Sequence, residues 1–148
     1  MKTKPFNQAL HDQCDPHTRN AVIKYLKNVW CVDAIQNPDQ YAVDLIGFKD
    51  WLPYCYVEVE NRYWGKQLHY CPYSTIHVPY RKAKLFNNNL PTFMFVVNHY
   101  MENAYWIDSE KIKAAPVIEV KNTAVASDEY FYDVPKEEWN LINLEDLF

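Results

Sequence analysis

The stretch YCYVEVEN, residues 54–61, decides how the rest of the chain is read. Side chains alternate across a strand, so Tyr54, Tyr56, Glu58 and Glu60 share one face and Cys55, Val57 and Val59 the other. The second set is apolar and belongs against a core. The first set holds two glutamates whose backbones lie about 6 to 7 Å apart, and like charges that close repel unless solvent or a cation intervenes. A solvated sheet face would explain the pair taken alone. The preceding run, YAVDLIGF at 41–48, changes the balance: Asp44 sits among Val43, Leu45, Ile46 and Phe48, where a carboxylate has no packing use and must meet water, a partner or a metal. If the two runs are antiparallel neighbours, Asp44 and Glu58 converge on one side and offer hard oxygen ligands of the kind Mg²⁺ accepts.

Around this pair the chain reads as one helix followed by a meander. Asp15 is read as an N-cap and Pro16 as the first helical position, with Ala21/Val22, Tyr25/Leu26 and Val29/Trp30 at helical spacing to about Trp30. CVDAI is a short strand, QNPDQ a turn, YAVDLIGF the second strand and KDWLP the turn into the third. Further on, STIHVPYRKAKLF combines a β-rich stretch with a basic cluster. TFMFVVNHY and AYWIDSEKI are two more strands about a Met-Glu-Asn turn, APVIEVKN another, and PKEEWNLINLEDLF a final acidic helix.

Composition bounds the classes of function. The 148 residues are 49% apolar and 23% charged, the profile of one globular domain. Only two glycines are present, so Gly-rich phosphate loops are excluded. Four cysteines without a CxxC pair and an opening segment without the apolar core of a signal peptide point to a reducing, cytoplasmic setting. No apolar run is long enough for a membrane span. The five histidines show no HxH or HxxxH spacing, which argues against a His-based zinc site, and Ser74 and Ser109 lack the glycines of a nucleophile elbow. Residues 128–148 carry seven acids and one base against twelve and fourteen in the remainder, so an acidic tail follows a slightly basic body.

An acid in one strand, a short turn, and acid-x-lysine in the next is the core pattern of the PD-(D/E)xK nucleases, and VDLIGF followed by YVEVENR resembles it. Asp44 matches the metal-binding aspartate, Glu58 the bridging glutamate, Val59 the intervening residue and Glu60 the usual lysine; a minority of restriction-type members carry glutamate there. The resemblance covers roughly residues 12–100. It implies an α/β (α+β) fold with a restriction-endonuclease-like core, a central mixed sheet of about five strands flanked by helices, over residues 1–148 as one domain with an acidic helix or tail at about 128–148. It further implies an endonuclease that hydrolyses DNA phosphodiesters with Mg²⁺ or Mn²⁺ on Asp44 and Glu58, with the Val59 carbonyl as a further ligand. Glu60 would act as base or second-metal ligand, or the lysine would come from elsewhere, Lys66 or Lys82. Many members begin with a helix that supplies an additional acid, for which Asp15 is the candidate, a pure helix cap being the other reading.

Arg62, Trp64, Lys66, Arg81, Lys82 and Lys84 follow the carboxylates and suit contacts to DNA phosphates, while Tyr63, Trp64, Tyr70 and Tyr73 could stack on unpaired bases. The family also implies a homodimer, because two strands are commonly cut by a two-fold pair. Small size suits a phage or selfish-element enzyme acting in the host cell, a host-repair role being equally open. The alternatives are a non-catalytic DNA-binding module on the same fold and a small structural or interaction protein.

Overall fold

Alternation along the central strand organises two layers around it. The computed structural model describes residues 8–39, 41–121 and 128–145, the side chains of 8–15, 121 and 128 excepted. Strand β3, Leu52–Arg62, is the longest described strand. Its Cys55, Val57 and Val59 are buried with Val22 and Tyr25 of helix α1, Gln8–Tyr25, and with Leu26 just after it, as the expected apolar face requires. An antiparallel meander leads into it: β1, Asp33–Gln36, pairs with β2, Leu45–Lys49, and β2 with β3. The turn between β2 and β3 is made by Asp50 and Trp51, both left-handed at φ 51 and 69, the two-residue geometry that matches strand twist.

After β3 the chain leaves the sheet through β4, Thr75–Pro79, and a 3₁₀ helix, Tyr80–Phe86, and returns as β5, Thr92–Asn98, parallel to β3. Strand β6, Asn103–Asp108, runs back antiparallel to β5, and a short helix α2, Ser109–Lys113, leads to β7, Val117–Lys121. Strand β8 spans Asp128–Pro135, and β9, Asn140–Asn143, closes the edge beside β6. The fold is therefore α+β: a mixed six-stranded sheet, β1-β2-β3-β5-β6-β9, and a three-stranded sheet, β4-β8-β7. One apolar cluster lies between α1 and the large sheet, where Trp30 meets Phe93, Phe95 and Trp106 at ring distances of 5.0, 5.7 and 4.9 Å. The other joins Met94, Val96, Tyr105 and Ile107 of the large sheet to Ile76, Val78, Tyr132 and Val134 of the small one.

Several expectations are corrected. The sheet has six strands rather than about five, and helices do not flank both faces: α1 covers one and the small sheet the other. The helix starts by Gln8, so the Asp15–Pro16 pair is interior rather than a start signal. It continues to Trp30 as a wider π turn, Leu26–Trp30. AYWIDSEKI is strand only as far as Asp108, whose side chain then accepts from the Glu110 N–H and caps α2. The acidic C-terminal helix is absent from the described residues: Asp128–Pro135 is the middle strand of the small sheet, Lys136–Glu138 one 3₁₀ turn and Asn140–Asn143 an edge strand, while residues 146–148 lie outside the described chain. Trp139 and Leu144 are buried on either side of β9, a spacing too short to distinguish helix from strand, and the open edge of β6 settles it by supplying backbone partners. Among the described residues no helix is long and apolar enough to cross a membrane.

Gly47 marks a close approach. A Cβ there would lie 2.7 Å from both Cys55 Sγ and Val32 Cγ1, beside a register shift between Gly47 and Phe48. Gly47→Ala is expected to cost about 1–3 kcal/mol as overpacking, read as a lower urea midpoint at unchanged slope.

Candidate active site

Register brings the first two acids together. Leu45 is paired with Val57, which sets Asp44 beside Glu58 at the end of the β2–β3 ladder. There side chains replace the next ladder bonds. Val59 N–H donates to Asp44 Oδ2 at 2.8 Å, and Asp44 N–H donates to Glu58 Oε1 at 3.3 Å. Along β3, Glu58 and Glu60 are paired with Met94 and Val96 of β5, residues of the apolar cluster facing the small sheet. The glutamate face is thus covered rather than solvated, and Glu58 is only 5% exposed.

Each carboxylate has a cation. Lys82, from the 3₁₀ helix on the crossover, places Nζ 2.6 Å from Glu58 Oε2. Arg62 reaches Glu60 Oε2 at 2.8 Å, two residues along the same strand face. Arg19 of α1 stands 3.7 Å from Asp44 Oδ1. The Glu58–Lys82 pair is the buried one, its side chains 6% and 18% exposed. Burial pushes the Glu58 carboxyl up to about 7; Lys82 opposes this and the neighbouring Asp44 adds to it. For Lys82 burial works against the charged form, yet the carboxylates of Glu58 and Glu60 prevail and hold its pKa above the usual lysine value.

A pH dependence follows. The folded protein retains the Glu58 proton to about 7, whereas the unfolded chain releases it near 4.5. The protonated group therefore favours the folded state below 4.5, and that contribution is lost as pH rises towards 7. Thermal or urea unfolding across this window is expected to show wild type losing stability relative to Glu58→Gln, by about 3 kcal/mol at most.

Asp44 and Glu58 are brought together, and Glu60 turns instead to Arg62. The side chain of Asp15 lies outside the described residues. From the described part of α1, Arg19 stands beside Asp44. Sequence did carry a signal for it, since Arg19 stands three and seven residues before the buried Val22 and Leu26, a charge on the apolar stripe. Of the basic cluster, Arg81, Lys84 and Lys66 are exposed, whereas Lys82 faces inward to Glu58. Trp64 is half-buried, its ring edge-on to Tyr105 at 5.8 Å.

Beyond the acids, β3 runs into a pocket of about 420 Å³ lined by Arg62, Trp64, Tyr73, Ser74, Thr75, Ile76 and His77. His77 Nε2 is 3.0 Å from Asp133 of β8.

Among the described residues, no three His, Cys, Asp or Glu side chains converge on one cation position. Asp44 and Glu58 are nonetheless of the ligand type that Mg²⁺ takes, one or two carboxylates completed by water and substrate phosphate, although Glu58 here is engaged by Lys82 and by the Asp44 N–H. No protein-family model and no curated protein sequence matches the chain significantly.

Proposed function

We propose that the chain is a metal-dependent DNA endonuclease of the PD-(D/E)xK type in which Lys82 supplies the positive charge that the family places two positions after its glutamate. The observation that supports this most directly is the buried contact of 2.6 Å between Lys82 and Glu58, across 24 residues of sequence, beside the carboxylate of Asp44. Asp44 and Glu58 are the residues to hold Mg²⁺ or Mn²⁺, with the Val59 carbonyl as a further ligand. When bound, the metal would lower the pKa of its water and offset charge building on the phosphate. Lys82 keeps a positive charge beside the two acids and orients Glu58. Glu60 holds Arg62 on the same strand face, so a cation stands next to the acids to meet a phosphate oxygen. Exposed Arg81, Lys84 and Lys66 position the duplex without reading it. A two-fold pair of such chains would serve both DNA strands.

The second reading is a non-catalytic DNA-binding module, favoured by the self-neutralised state of the cluster, in which Asp44, Glu58 and Glu60 each already face a cation. Incubation with linear, supercoiled and branched DNA, with and without Mg²⁺ or Mn²⁺, separates the two. Cleavage confined to the divalent-metal samples is expected. Binding without cleavage in every sample would select the second reading, and neither binding nor cleavage a structural or interaction protein.

A further inference from the structure

We infer that the pocket at the end of β3 is a receptor for a single unpaired nucleobase, so that the preferred substrate is DNA with single-stranded character rather than a continuous duplex. This rests on the nuclease reading for its substrate but on separate residues for its geometry. Glu58, Glu60, Arg62 and Trp64 alternate along one face of β3 and its continuation, so the face that carries the acids leads into the pocket. Glu58 and Arg62 are about 13 Å apart along the strand, a span of a few nucleotides, and Arg62 stands at the junction.

The chemistry of the walls suits a base. Trp64 is anchored edge-on to Tyr105, which makes it a fixed wall. Tyr73 lines the pocket and is 62% exposed, so much of its ring is open to solvent. Aromatic rings of this kind stack on any base, because every base has a π face. Ser74, Thr75 and His77 add short polar groups for a base edge, with His77 held by Asp133 at 3.0 Å. At about 420 Å³ the pocket is within the range of small-ligand sites, large enough for one base and its sugar but not for a paired helix. A base in a duplex would have to leave the stack to enter, at a cost that an overhang, gap or branch avoids.

The test is binding by fluorescence anisotropy, with the full chain in EDTA so that no cleavage is needed. Three probes are compared: a blunt duplex, the same duplex with a short single-stranded overhang, and that overhang with its bases replaced by abasic sugars. The base-bearing overhang is expected to bind about 5- to 100-fold more tightly than the abasic one, the worth of one stacked base. Tyr73→Ala, at an exposed position, is expected to remove most of that difference and leave blunt-duplex affinity unchanged. Equal affinity for the base-bearing and abasic overhangs would overturn the inference, as would an equal loss on all three probes in Tyr73→Ala. Failure of the nuclease reading is seen separately: base-dependent binding without metal-dependent cleavage keeps the pocket and removes the enzyme, and cleavage without base dependence does the reverse.

Discussion

Lys82→Met is expected to lower the stability of the folded protein by about 3–5 kcal/mol above pH 7, the cost of leaving one member of a buried ion pair without its partner. The contact of 2.6 Å joins side chains that are only 18% and 6% exposed, so water cannot replace the lost ammonium. The loss is expected to shrink near pH 5, where Glu58 is protonated in wild type and variant alike and burial no longer penalises it. Adding Glu58→Gln to Lys82→Met should recover most of the stability, because both charges are then gone. Urea unfolding of the two variants at both pH values checks the claim. An identical loss at each pH, unrelieved by the second substitution, would mean that Lys82 acts through packing of its stem and not through its charge.

Asp44→Asn is expected to reduce Mg²⁺-dependent DNA cleavage by at least about a thousandfold, equivalent to roughly 4 kcal/mol of barrier, since it removes a charged oxygen from the proposed metal site. The amide retains an oxygen to accept from Val59 N–H, which in the wild-type protein donates to Asp44 Oδ2 at 2.8 Å. Stability should therefore change by less than about 1 kcal/mol, the ordinary net worth of one hydrogen bond. Asparagine is preferred to alanine for this reason: alanine would orphan the Val59 N–H and confuse a folding loss with a chemical one. Undiminished cleavage by a purified Asp44→Asn/Glu58→Gln protein that unfolds cooperatively would sink the assignment of both residues. The two predictions separate the roles of the cluster, because Lys82 is tested by what it does for the fold and Asp44 by what it does for the reaction.

Much of the core followed from local pattern. Strand β3 was legible because two-residue alternation separates Cys55, Val57 and Val59 from Glu58 and Glu60, and the helix because Val22, Tyr25 and Leu26 recur at its period. Asp44 stood out as a carboxylate in an apolar run, but the turn at Asp50 and Trp51 alone would set it opposite Val57, and the one-residue register shift between Gly47 and Phe48 is what places it beside Glu58. The helix start differs from the expected one because Asp-Pro is ordinarily a start signal, whereas Pro16 here lies inside the helix, a position that proline normally disfavours. The C-terminal segment differs from the expected helix because Trp139, Leu141, Ile142 and Leu144 suit an amphipathic helix as well as a strand and its ends, and Leu141 is exposed in the strand. Only the unpaired edge of β6, contributed by residues some 35 positions earlier, makes the strand.

The sequence by itself determined the acids and their faces: period-two patterning and a single misplaced carboxylate are local properties, and they place Asp44 in one strand and Glu58 and Glu60 on one face of another. Tertiary structure decided which charge Asp44 and Glu58 meet. Arg19 arrives from the helix beneath the sheet and Lys82 from the crossover above it, while Arg62 comes from the same strand, where alternation already sets it on the face of Glu60; of the three, Lys82 is the one for which the local pattern carried no signal. The reason is that an ion pair is made by proximity in space, and the parallel return of β5 beside β3 folds residues 24 apart in sequence into contact. The same return covers the glutamate face with a second sheet, and that covering turns a repelling pair of strand glutamates into one buried, cation-held carboxyl and one left at the rim.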